Sequence, residues 1–465
     1  MLKDIIKKEI LDHLLSAKFI FMFIICSVLI LLSVYMGMAE YLADKKIYDD
    51  DVSEVRQTLA PPKTYSELSS GASYRYFRPP QTLGVLVKGI EDAAGRMSYV
   101  SMPEVSLSES KHESNPIMAV FGLFDLMFIV KIALSLFAIL LMYDAICGEK
   151  ERGTLKLALS NSVPRDRLLL GKAIGGYISL CVPLLFPLLI SLIYLSLHPM
   201  IVLTGEDWQR ICSIFFTFLL YLTVFFCLGL FVSSLTARSS TSLLVLLAVW
   251  CVWVVIVPKA SIILADHLRS LPTPNEIYTE KISFSTQLQR EQNQTLIRRQ
   301  LELRSRQDPA NPASAQEMAK AMSEISTELS REFWRDIGEN NARIDRDYQR
   351  KKHAQTALAK NLSRISPASA LTFGATALAR TGIDDNDRFL YAILEYKVLI
   401  SDMVRNDISL RGKEIDYAAL PRPAFEYEDF SRSFIRILPD LVSMIVMIAL
   451  LTGGAYFAFI RCDVR

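Results

Sequence analysis

The chain lacks a phosphate-binding loop: no G-x-x-x-x-G-K-[ST] run occurs in its 465 residues. Any nucleotide it depends on is therefore expected on another polypeptide. It has no C-x-x-C pair and no H-E-x-x-H, and its five histidines are scattered, which argues against a structural or catalytic zinc site. A G-x-S-x-G nucleophile elbow is missing as well. Paired carboxylates such as Asp384-Asp385 and Glu428-Asp429 stand on polar stretches, where a solvated surface is the default. No excess of one charge is present either. Lys and Arg number 51 against 49 Asp and Glu, a net charge of +2, and such a balance gives no reason to expect nucleic acid as a partner.

What the chain does have is apolar length. Half of it (51%) is apolar, the mean hydropathy is +0.28, and its charges are segregated. Six runs almost free of ions, residues 18–39, 117–143, 173–197, 211–235, 241–264 and 438–460, each have the length of a membrane crossing. Ahead of them, residues 1–17 put Ile5, Ile6, Ile10, Leu11, Leu14 and Leu15 on a helical period opposite Lys3, Lys7 and Lys8. This is the pattern of an amphipathic helix lying in the membrane interface. A signal peptide is the competing reading, but no A-x-A cleavage site follows. Lys and Arg collect in the short loop 144–172, and Arg461 and Arg465 stand in the tail 461–465. The positive-inside bias then puts both termini in the cytoplasm. Residues 40–116 and 265–437 fall outside. None of the seven cysteines lies in these two insertions, so no external disulfide framework is expected.

The organising stretch is residues 143–172, YDAICGEKERGTLKLALSNSVPRDRLLLGK. Gly148 and Gly153 punctuate it, and Leu155, Leu157 and Leu159 make an apolar strip beside Lys156 and Ser160. That suits a short amphipathic helix at the membrane surface or in a partner's groove. The run resembles the segment between the second and third spans of type-2 ABC exporter permeases. The resemblance is carried by Gly148, Glu149, Lys150, Glu151, Gly153, Thr154, Leu155, Ser160, Arg165, Gly171 and Lys172. It implies a coupling helix that docks on a separate ABC ATPase subunit, with Glu149, Lys150, Glu151, Arg152, Gly153, Thr154 and Leu155 at the contact. ATP and Mg would be bound by that subunit, and this chain would carry no cofactor. It also implies two permease copies, identical or related, surrounded by membrane lipids, and an N-terminal elbow helix that touches the ATPase. The stretches 78–96 and 366–382 resemble segments of permeases with enlarged external loops, which makes a periplasmic partner a candidate.

The fold class expected is therefore an all-α polytopic membrane protein: six transmembrane helices, an elbow helix, a small β-containing external lobe and a long external helical hairpin. Within the lobe, residues 83–88 and 97–102 read as strands. The hairpin arms are expected over 275–307 and 314–362, with a break at 308–312. Its longer arm carries one apolar stripe (Met318, Met322, Ile325, Leu329, Phe333, Ile337, Ile344, Tyr348) and one candidate interruption, Gly338. Asp125 and Lys131 are ionisable residues within run 117–143. A helix starting at 117 puts Lys131 roughly 20 Å along it, close to mid-membrane. Two readings stand: a polar lining or dimer contact, or a lysine that snorkels and an aspartate at the outer boundary. Pro183 and Pro187, four apart in the third run, are a candidate hinge, with static shaping of the bundle as the alternative. Three functions fit: a permease subunit coupling ATP hydrolysis to export, a mechanotransmission subunit driving periplasmic partners, and a membrane-embedded enzyme.

The topology is directly testable. On a cysteine-free background, an impermeant thiol reagent is expected to reach Gln316→Cys from outside intact cells and Arg167→Cys only after lysis. The reverse pattern would overturn the assignment of sides.

Overall fold

A computed structural model describes residues 2–57, 74–91, 97–100, 105–107, 125–160, 164–305, 312–406 and 425–461. The chain forms two compact units, Met1–Pro258 with Ser363–Arg465, and Lys259–Leu362. Among the described residues, six helices are long and apolar enough to cross a membrane: Ala17–Asp50, Leu126–Glu151, Arg165–Ser196, Gly205–Leu235, Ser239–Leu268 and Phe430–Arg461. In chain order they are spans one to six. In hydrocarbon no water satisfies an open backbone, so a run of this length must close its hydrogen bonds within a helix. The protein is a polytopic helical membrane protein.

Span four is the central column, packed against span six, span two and the short helix Pro367–Ala379. Its start is set by Thr204 and Asp207. The Asp207 amide donates to Thr204 Oγ1 at 3.2 Å and the Thr204 amide donates to Asp207 Oδ2 at 2.8 Å, a reciprocal cap on the first turn. At its other end Gly229, with Gly176 of span three, receives Met142 of span two. A Cβ at either glycine would come within 2.4–2.7 Å of Met142 atoms. The same device seats the elbow helix, Leu2–Leu14, on span three. Cβ atoms at Gly171 and Gly175 would lie 2.4 Å from Ile5 Cγ2 and 2.8 Å from Glu9 Cβ. Small residues four apart let two helix backbones approach closely.

Spans two and five each contain one π turn, Val130–Leu134 and Val252–Ile256. A π turn needs outside partners for the carbonyls it displaces. Tyr221 Oη and Ser135 Oγ both donate to the Lys131 carbonyl, at 2.8 and 2.6 Å, and Trp250 Nε1 of span five donates to Ser135 Oγ at 2.9 Å.

The end of the bundle that holds Glu206 is tied by charge. Arg210, fully buried, donates to Glu206 Oε1 (2.9 Å), Leu378 O (2.9 Å), Ser433 Oγ (3.3 Å) and Glu428 O (2.6 Å). The same Glu206 oxygen accepts from Arg380 Nη2 at 2.8 Å and from the Phe430 amide at 2.9 Å. Arg380 closes the helix Pro367–Ala379 in the left-handed region, at φ 61°. One carboxylate thereby joins the start of span four, the end of that helix and the start of span six.

Several expectations are corrected. Span two does not run unbroken from residue 117: Asp125 is extended (φ −110°, ψ 168°) and caps the helix that follows, accepting from the Phe128 amide at 2.8 Å. Residues 117–124 lie outside the described residues. Lys131 is thus six residues from the cap, about 9 Å along the helix. Span one continues as helix to Gln57, past the boundary expected at 39. Residues 83–88 are not a strand: Thr82–Val85 is a 3-10 turn, and Leu83, Val85, Leu86 and Val87 are all buried, so no face alternates. Strands do occur at Tyr74–Phe77, Met97–Val100 and Val105–Leu107, paired antiparallel in that order.

The block expected as one external domain, 265–437, is divided. The helices Pro367–Ala379 and Ile383–Asn406 belong to the unit that contains the bundle. The other unit contains two long helices, Pro274–Ser305 and Pro312–Ser363, the second continuous through Gly338. In that unit Ile344 of the expected stripe is buried, and Lys281 Nζ pairs with Asp345 Oδ1 across the two helices at 2.6 Å. The break expected at 308–312 lies outside the described residues up to 311, as do Pro421, Pro423 and the tail beyond Arg461.

Asp385 provides a pH test. Its carboxyl is 2% exposed, and burial pushes it up to about 6 from 3.8, with Asp384 and Glu428 adding and Arg388 and Arg78 opposing. The native state therefore holds a proton that the unfolded chain has already lost between these values. Stability from this group is greatest below pH 4 and falls as pH rises through 6. Asp385→Asn is expected to gain on the wild type by up to about 3 kcal/mol between pH 4 and 6.5, read as a diverging Tm of the detergent-solubilised proteins. A constant difference would contradict it.

A candidate functional site where every span meets the loop between spans two and three

Span two breaks after Met142; its last piece, the short helix Cys147–Glu151, and the helix Thr154–Ser160 lead towards span three. After the break the helix restarts with open amides. Ser233 Oγ of span four accepts two of them, from Ile146 (3.0 Å) and Cys147 (3.2 Å), completing what a helix start leaves unsatisfied. Gly153 separates the two helices at φ +74°, a conformation that costs an L side chain about 1–2 kcal/mol. The Arg152 guanidinium folds back, its Nε donating to Gly148 O at 3.2 Å, and Thr154 Oγ1 donates to Glu149 O at 3.4 Å.

Lys172 is the centre of the site. It lies in the second turn of span three, is 4% exposed, and its ammonium donates to Glu9 Oε1 of the elbow helix (2.9 Å) and to Glu149 Oε1 (2.7 Å). A buried ion needs opposite charge and hydrogen bonds together, and here two carboxylates supply both. The second oxygen of Glu149 is buried without a hydrogen-bond partner among the described residues.

Its neighbours extend the joint to the other spans. Glu151 Oε2 accepts from the Ser239 amide (3.1 Å) and hydroxyl (2.8 Å) at the first turn of span five, a carboxylate on the positive end of that helix. Lys150 Nζ donates to Ser234 O (2.7 Å) and Thr236 O (3.3 Å) at the end of span four, where the last carbonyls are open. Asp144 and Tyr143 hold Lys18 at the start of span one, at 3.2 and 2.7 Å. Arg165 Nη1 donates to Ile460 O of span six at 2.7 Å. Leu155 is buried, while Thr154, Lys156 and Leu157 are exposed.

Sequence reasoning selected Glu149 to Leu155, and the structure brings Glu149, Lys150 and Glu151 against different elements. It missed Glu9, Lys18, Ser233 and Ser239, which no local pattern connects to the loop, and it treated Lys172 only as part of a motif. The remaining candidates are elsewhere. Asp125 caps span two and accepts the Lys88 amide at 3.2 Å. Lys131 sits in the π turn, half-buried, with no hydrogen bond or ion pair from its ammonium among the described residues. Pro183 and Pro187 are buried inside span three, whose helix continues through both.

Six spans gathered by one polar loop, with an elbow helix laid on span three, define a polytopic membrane subunit. The sequence matches the family described as ABC-2 family transporter protein over residues 4–464, and the chain belongs to that family. It is thus a multi-pass transmembrane permease of an ABC transporter, and permeases of this family work with an ABC ATPase partner. A search of curated proteins found no match.

Removing the central ammonium isolates its role. Lys172→Met leaves Glu9 and Glu149 facing each other and is expected to cost about 3–5 kcal/mol, while Lys172→Arg keeps most of it. Thermal unfolding and hydrogen exchange of the elbow helix measure the difference. Equal behaviour of the two variants would remove Lys172 from the centre of the site.

Proposed function

We propose that the chain is the membrane-spanning subunit of an ABC exporter, with the loop 144–172 as the coupling segment that docks on the ATPase. The observation that supports this most is the reach of the segment. Through Glu149, Lys150 and Glu151 it is bonded to spans three, four and five, and through Lys172 to Glu9 of the elbow helix, while Thr154, Lys156 and Leu157 remain open for a partner. A push on the exposed helix is passed to the spans through short charge-assisted bonds rather than through a floppy loop. ATP and Mg belong to the ATPase, which supplies the motion, and the permease passes it to the spans. In this reading the protein lies in the bacterial inner membrane with both termini in the cytoplasm, and two permease copies, identical or related, bind two ATPases.

A second reading is supported by the unit Lys259–Leu362. Helices of 32 and 52 residues are long enough to reach a periplasmic partner, so the stroke would act on that partner without transport. Pro183 and Pro187 are the candidate hinge in either case.

Co-purification of the native complex from membranes tests the shared core. An ABC ATPase is expected to accompany the wild type. The double variant Lys156→Asp, Leu157→Asp, at two exposed positions, is expected to stay folded but to weaken ATPase binding and uncouple ATP hydrolysis from transport or periplasmic action. Unaltered ATPase binding and coupling in that variant would sink the docking role.

A further inference from the structure

One segment at the Asp125 end of the bundle is used by neither reading. Residues 78–91 follow strand Tyr74–Phe77 and re-enter the apolar core. Leu83, Val85, Leu86 and Val87 are at most 2% exposed, yet their only regular structure is the single turn Thr82–Val85. Core is normally helix against helix; here an irregular strap occupies it. Its backbone is satisfied by side chains and carbonyls of the surrounding elements. Asp125 Oδ2 accepts the Lys88 amide, Thr381 O accepts the Ile90 amide at 3.0 Å, and Thr381 Oγ1 donates to Val87 O at 2.9 Å. Lys88 also pairs with Glu40 of span one.

The seat is cut to the strap's shape. A Cβ at Gly37 of span one would come within 2.5 Å of Val85 O, and one at Gly89, itself at φ +58°, within 2.2 Å of Thr381 O. Asp125 serves two masters, since one oxygen caps span two and the other holds the strap. The strap's entry is the less satisfied part. Arg78 is 1% exposed, but its Nε and Nη2 lack hydrogen-bond partners among the described residues, its Glu91 contact is 3.9 Å and its Asn386 contact 3.5 Å. A buried guanidinium left this incomplete is a cost carried by the docked arrangement. Beside Glu91 lies a narrow polar cleft between Glu40 and Asp44 on span one and Gln81 and Lys88 on the strap, with room for about one water molecule.

We propose that residues 78–91 are a closure for this end of the bundle, seated between span one, span two and Thr381 at rest and withdrawn during the ATP-driven cycle. The inference rests on the proposed coupling to an ATPase. Withdrawal exchanges the Asp125, Thr381 and Glu40 contacts for water, frees one oxygen of the span-two cap and relieves Arg78. Glycines 37 and 89 permit the docked state and are not needed in the open one.

The test uses the full permease–ATPase complex in vesicles, on a cysteine-free background, after ATPase binding has been verified. Loss of that binding would count against the coupling reading, and the closure would fall with it. Val87→Cys, buried at rest, is expected to react with an impermeant maleimide at least tenfold faster when the complex is trapped with ATP and vanadate than when nucleotide-free. Equal rates in both states, slow or fast, would overturn the proposal while leaving the coupling reading intact. A second pair guards against a folding artefact. A Cβ at position 84 would lie 3.8 Å from Thr381 Cγ2, so Gly84→Cys with Thr381→Cys can be cross-linked by oxidation. The oxidised complex is expected to lose vanadate trapping and to recover it on reduction. Full trapping in the cross-linked state would contradict a moving strap.

Discussion

A single ammonium between two carboxylates holds the working end of this protein together. Lys172 is too buried to remain charged without company, and Glu9 and Glu149 are brought to it from the elbow helix and the loop after span two. The glycines one residue before it and three after it, Gly171 and Gly175, let the elbow lie close enough for Glu9 to reach. Packing and charge therefore depend on each other here. Widen the helix contact and the ion loses a partner; neutralise the ion and the contact encloses two opposed carboxylates.

The opposite end repeats the principle with the signs reversed. There one carboxylate, Glu206, gathers Arg210, Arg380 and the Phe430 amide. Between these two polar knots the spans are apolar, and their contacts are set by small residues such as Gly176 and Gly229 around Met142. Strong, directional ties at the ends and soft, non-directional packing between them suit helices that move as rods about fixed joints. In the proposed function, a separate ATPase is the source of motion for those rods, in keeping with the chain's place in the ABC-2 transporter family.

The spans were legible because an ion-free run of that length has one stable form in a membrane. The loop between spans two and three stood out because Gly148, Glu149, Glu151 and Gly153 form a local pattern. Its partners did not. Glu9 is one acid among several on a charged helix face, and nothing nearby marks it as the ligand of Lys172. Glu206 and Arg210 read as an ordinary link between spans, yet they bury the most fully enclosed charge at that end. The strap 83–88 was misread as a strand because periodicity cannot separate a half-buried strand from a segment enclosed on all sides. For Asp125 the sequence left two readings, a polar lining within the span and a residue at its boundary, and its place as the cap just before the helix agrees with the second.

The central claim is that the elbow helix, the loop after span two and the head of span three form one rigid body through which motion enters. Spin labels at Lys8, Lys156 and Gln209, all exposed, measure this in the ATPase-bound protein. The Lys8–Lys156 distance is predicted to stay the same in nucleotide-free and ATP-trapped states, while the Lys156–Gln209 distance changes. A Lys8–Lys156 distance that shifts with nucleotide would contradict the account.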